Sequence, residues 1–225
     1  MRSGVWNVFW CLLMWQCFTV DAMAQRGAPW VGTTFIGVQC TGNDQGVGPY
    51  DYLQRHSLAG KLRVVETHHF TPGVEQLQRG KSGPVVSDLD YTLRAWPNHH
   101  RALNAMMRYQ TSLQRGQMQQ LFASGIPPVE CYLQRAINFS SSDATTRMLF
   151  GMLLHKKNQL ERAEQEYRAA IDLAPGDRQT QYNLGLLLVD RGKYVEAKTI
   201  AETLYGEDFP LPGLQNKLRR KGQWP

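Results

Sequence analysis

The chain is predicted to be mainly α, with antiparallel helix pairs stacked as a short solenoid behind an irregular N-terminal segment. Three observations predict this. Residues recur 34 apart in the C-terminal half: Phe150 with Leu184, Gly151 with Gly185, Leu154 with Leu188, and Ala163 with Ala197. Such a period marks stacked units, each too small to bury its apolar face alone. Apolar helical runs also end at proline corners, "AWPN" (95–98) and "LAPGD" (173–177). Proline cannot continue a helix, and it pushes the residue before it away from helical geometry. Finally, the 225 residues are 42% hydrophobic and 20% charged, enough apolar material for a packed core.

Residues 1–24 read as an export signal. Arg2 supplies the positive start, "VWNVFWCLLMWQCFTV" (5–20) the apolar stretch, and "AMA" (22–24) the small-x-small cleavage pattern. Cleavage is expected after Ala24, leaving a periplasmic or secreted protein with no stable membrane insertion; an uncleaved anchor is the alternative. Cleavage would also remove Cys11 and Cys17. Cys40 and Cys131 would then be the only cysteines in an oxidising compartment, where they can pair. The alternative is two unpaired buried thiols.

Residues 25–86 are expected to be an irregular N-terminal segment. "TTFIGVQC" (33–40) suggests one short strand, and "LRVVETHH" (62–69) an extended run. Thr71 and Pro72 start a short helix that Gly80 stops. Ser87 and Asp90 form a helix-start pair, with Asp88 and Asp90 in the first turn. Trp96 and Pro97 end that helix, and Asn98 is the expected N-cap of the next. The repeats are expected over 87–210, followed by a capping helix or tail at 211–225.

Polar turns divide each pair, "HKKNQ" (155–159) and "DRGK" (190–193). Phe150, Gly151, Ala163, Tyr167, Ala170 and Pro175 then follow the order large apolar, glycine, small, aromatic, small, proline. Residues 144–177 therefore resemble the tetratricopeptide repeat, a 34-residue helix–turn–helix unit. Arg147 stands where that family has tryptophan. The copy at 178–210 keeps Leu184, Gly185 and Ala197, but Ala201 replaces the aromatic residue and Pro210 falls one place late. "HHRALNAMMRYQTSL" (99–113) and "VECYLQRAI" (129–137) resemble a further copy with an insertion between its helices. Residues 48–103 also resemble a segment of exported proteobacterial repeat proteins, which implies a family but no reaction.

In tetratricopeptide arrays the first helix of each pair lines a concave groove. The resemblance carries this to Arg101, Asn104 and Arg108, then Met148, Met152 and His155, then Gln179, Tyr182, Asn183 and Leu186. It implies protein–protein binding by a non-enzymatic scaffold, with an envelope protein or peptide segment as partner. The two arginines favour an acidic one. The competing reading of Met148 and Met152 is ordinary core.

The formal charge of +6 favours acidic partners, but the basic residues are scattered. A nucleic-acid interface of the clustered kind is not expected. No catalytic motif, nucleotide loop or cofactor motif is present, so no activity and no cofactor are expected. The alternative function is metal or small-ligand binding by Glu66, His68, His69, His99 and His100, residue types that suit zinc or copper. Adjacent histidines point apart on a helix or strand, and no HExxH spacing occurs.

Overall fold

The computed structural model describes residues 27–44, 46–81 and 83–225. Within them lie eleven α-helices. They are α1 (Ala59–His69), α2 (Pro72–Glu75), α3 (Val85–Ala95), α4 (His100–Ser112), α5 (Arg115–Ala123) and α6 (Val129–Phe139). Then come α7 (Ala144–Lys156), α8 (Leu160–Leu173), α9 (Arg178–Asp190), α10 (Tyr194–Gly206) and α11 (Gly213–Arg220). Helix pairs α1/α3, α4/α6, α7/α8 and α9/α10 pack in sequence, and α11 closes the row against α9 and α10. Among the described residues no helix is long and apolar enough to cross a membrane.

One continuous core runs from Phe70 and Leu89 through Met106, Leu133 and Leu153 to Leu187 and Leu218. Close approach within a pair needs a residue without a side chain. A Cβ on Gly151 would meet the buried Tyr167 ring at 2.7 Å. Acidic caps start α7 and α9: Asp143 accepts from the Thr146 amide and Asp177 from the Gln179 amide.

The N-terminal third departs from expectation. The run at 62–69 is not extended; it forms most of α1. Val64 and Val65 suggest a strand, but Leu58, Leu62 and Val65 recur at helical spacing and pack towards Tyr52 and Trp96. Val65 is 3% exposed and Val64 62%, as helical facing requires. With α3, α1 makes a helix pair where an irregular segment is expected. The strand expected at 33–40 is reduced to one antiparallel bridge, Thr33 with Gln39, closed by a turn at Gly37 (φ +83°). Helix α2 ends at Glu75, before Gly80.

Two cap assignments also change. Helix α3 starts at Val85 behind Pro84, so Ser87 lies inside it rather than capping it. His99, not Asn98, caps α4: its Nδ1 accepts the Ala102 amide at 3.1 Å. The buried Asn98 instead ties three segments together. Its Nδ2 donates to Asp51 (2.7 Å) and Asp143 (2.8 Å), and its Oδ1 accepts the Tyr52 amide (2.9 Å). The insertion at 114–128 contains α5, started by a Gln114/Gln117 capping box.

Cys40 and Cys131 are joined, with Cα atoms 5.4 Å apart. Non-covalent contacts hold the same N-terminal strap to α6. The buried Arg135 donates to the carbonyls of Ala28 (2.7 Å) and Leu93 (2.8 Å) and lies under the Trp30 ring. Burial pulls the Arg135 pKa down to about 10, which leaves it charged at neutral pH.

Candidate interaction surface

The first helices of the pairs, α4, α7 and α9, stand in a row. The expected groove residues are distributed along it unevenly. At the α4 end Arg101 is already engaged. Its Nε donates to Glu75 Oε1 at 2.7 Å, Nη2 donates to the other carboxylate oxygen, and Nη1 lies 3.5 Å from Glu66. Arg108 Nη2 donates to the Glu75 carbonyl at 2.5 Å. Hydrogen bonding from Arg101 holds the Glu75 carboxyl below its ordinary range. The arginine pair expected to receive a partner's acid therefore receives the chain's own α2.

At the far end the row is also covered. The buried Tyr182 packs on Phe209, with ring centroids 5.1 Å apart. Lys217 of α11 reaches the Leu186 carbonyl at 3.4 Å and pairs with Asp190. His155 Nε2 lies 2.9 Å from the same Asp190 carboxylate. The buried Asn183 accepts from Gln179 Nε2 at 3.1 Å. Met148 and Met152 are half-buried against the core, Asn104 is half-buried and Gln179 is exposed. These last four residues mark the stretch of the row between its two covered ends.

The histidines do not converge. His99 Nε2 faces Glu66 Oε1 at 3.2 Å, His69 Nδ1 faces Asp88 at 2.9 Å, and His100 Nε2 faces Asp143 at 2.8 Å. His68 lies exposed on α1. Among the described residues no three potential metal ligands come together. Four of the five residues of the metal alternative, Glu66, His69, His99 and His100, are thus split among three separate histidine–carboxylate pairs, and His68 belongs to none of them. Because His99 Nδ1 accepts a backbone N–H, the ring is neutral and Nε2–H donates to Glu66. Burial lowers the His99 pKa against the opposing pull of Glu66.

One surface is not anticipated by the sequence reading. A cleft of about 520 Å³ opens between the 34–43 strap and the α5 insertion, with the Cys40–Cys131 bridge in its lining. Ile36 (87% exposed), Val38 (57%) and Phe122 (37%) make it apolar. The available signal was Met118, Phe122 and Ile126 at four-residue spacing inside an apparent linker.

Stacked helix pairs, close-packed at Gly151 on Tyr167, define a tetratricopeptide-type helical array. Residues 144–177 match the tetratricopeptide repeat family profile, so the chain carries at least one repeat of that type. The crystal structure of MamA is similar at 16% identity and a TM-score of 0.41, covering 76% of this chain and 96% of that one. The MamA RS-1 ArsTM double mutant is similar at 20% identity and a TM-score of 0.39, covering 75% and 89%. The fold assignment rests on the repeat match and the helix packing. No curated protein sequence matches the chain significantly.

Proposed function

We propose that the protein is an exported, non-enzymatic scaffold that binds an extended segment of another envelope protein along the row formed by α4, α7 and α9. Tetratricopeptide repeats serve protein interaction as a class, and the match at 144–177 supports that part. The observation that carries the rest is the stretch of Asn104, Met148, Met152 and Gln179 between the Glu75 and Phe209 ends. It offers two flexible thioethers, which adapt to apolar side chains, beside two amides that can hold a peptide backbone. An acidic partner residue would have to displace Glu75 from Arg101, so the main anchor is apolar. The leader pattern of residues 1–24 and the Cys40–Cys131 bridge both suit an oxidising compartment outside the cytoplasm.

The test is photo-crosslinking in intact cells from a probe at Met148 or Gln179, with a probe at the exposed Arg162 on α8 as control. A defined envelope protein should be captured from the first two positions, and Met148→Glu/Met152→Glu should abolish the capture. Equal capture from Arg162, or capture unaffected by the double variant, would place the interaction elsewhere. Mass spectrometry of the fractionated protein tests export; an intact N-terminus retained in the cytoplasm would refute it.

A further inference from the structure

The strap over α6 is a two-stranded turn whose two outer edges differ. Its inner hydrogen bonds run from the Thr34 amide to the Val38 carbonyl (2.8 Å) and from the Cys40 amide to the Gly32 carbonyl (3.0 Å). Backbone groups alternate along a strand, so Thr33 and Phe35 point outward on one side and Gln39 and Thr41 on the other. The first edge is completed by α6. Gln134 donates to the Thr33 carbonyl (2.8 Å) and accepts its amide (3.2 Å), while Glu130 accepts the Phe35 amide (3.1 Å). The second edge has no such cover: the amides and carbonyls of Gln39 and Thr41 make no hydrogen bond within the described chain.

That second edge borders the apolar cleft, since Gln39 and Thr41 both line it and α5 with Ile126 forms the opposite wall. Exposed strand edges are usually protected by proline or by charge, because they template pairing with another chain. Neither proline nor a charged residue occurs from Thr33 to Thr41. We propose that this cleft is a strand-accepting site: an extended segment of a partner protein pairs with Gln39 and Thr41 and directs alternate apolar side chains at Phe122 and Met118. Two observations select this occupant. The unpaired edge calls for peptide N–H and C=O groups, which a lipid chain or small apolar ligand lacks. The same cleft is lined by Met118 and Phe122 of α5, whose apolar side chains suit the alternate side chains of a strand laid along the edge. The volume is within the range of about 300–1,000 Å³ usual for ligand clefts. This surface is separate from the row of α4, α7 and α9 and stands without it.

The experiment titrates the isotopically labelled protein with synthetic peptides of about six residues, a typical strand length, alternating valine and threonine. Binding should shift the Gln39 and Thr41 amide signals and slow their hydrogen exchange by about tenfold or more. Methylating alternate peptide nitrogens, which removes donors but keeps side chains, should weaken binding at least about tenfold. Phe122→Asp, on the opposite wall and partly exposed, should do the same while leaving the fold intact by circular dichroism. Met148→Glu/Met152→Glu should leave this binding unchanged whatever it does to the proposed row. The proposal is overturned if the two amides stay unmoved at millimolar peptide, or if the methylated or a helix-locked peptide binds equally well. It is also overturned if the free protein dimerises through Gln39, which would make a second copy the occupant.

Discussion

Replacing both bridge cysteines, Cys40→Ser/Cys131→Ser, should weaken one half of the molecule far more than the other. The bridge closes a loop of 91 residues that contains α1 to α5 and the start of α6, while α7 to α11 lie outside it. Loop-closure entropy for that length is about 15.5 cal/mol/K, or about 4.6 kcal/mol at 25 °C. The gain acts through the unfolded chain, so it belongs to the segments inside the loop. In a stacked array each pair contacts only its neighbours, and stability is a sum of local terms. Hydrogen exchange resolved by segment is therefore the assay. Protection in α1, α3 and α4 should fall by several kcal/mol in the double variant, with α9 and α10 losing much less. Equal losses in both halves would show that the array unfolds as one unit. Unchanged protection in α1 to α4 would show that the strap contacts of Arg135, Gln134 and Glu130 alone close the loop.

Gly151→Ala should destabilise the protein by about 1–3 kcal/mol in urea unfolding, because the new methyl meets the Tyr167 ring, which is packed and cannot retreat. His99 should make stability fall in mild acid. Its folded pKa is depressed, so the unfolded chain takes up the proton first as pH drops below 6.5, and stability is lost down through the lower folded value. His99→Asn keeps a cap acceptor and should flatten that slope below pH 6.5, whatever offset the lost ring packing adds. Glu164 is screened from solvent, which opposes its charge, but Lys193, Arg168 and Arg191 hold its pKa down to about 2. Glu164→Gln should cost about 1–2 kcal/mol near neutrality, and the difference from wild type should shrink as pH falls from 4.5 towards 2.

The C-terminal pairs were legible because their determinants are local and periodic. Gly151, Ala163, Tyr167 and Ala170 sit at fixed offsets, and Asp177 and Pro175 punctuate them. The pair α1/α3 was harder to read. Val64 and Val65 carry strand propensity, and only Leu58, Leu62 and Val65 taken together reveal the helical face. The row of α4, α7 and α9 follows from the repeat order, but the covering of its two ends does not. Glu75 on Arg101 joins residues 26 apart, and Phe209 on Tyr182 joins residues 27 apart across α10; no periodic pattern encodes either. The histidines read as cluster or corner residues because "NHH" is conspicuous in one dimension. In three dimensions each meets a carboxylate from a different segment.

The attachment of the strap to α6 imposes an order on assembly. Ala28, Thr33 and Phe35 wait on Arg135, Gln134 and Glu130, partners about a hundred positions downstream. The α7/α8 and α9/α10 hairpins need only neighbours within a few tens of residues, so they can close as soon as they are made. The earliest described residues to emerge during synthesis thus stay unpaired until α6 has followed them. Until then, Ile36 and Val38 travel on an unanchored tail, which any chaperone met on the way could hold as an extended strand.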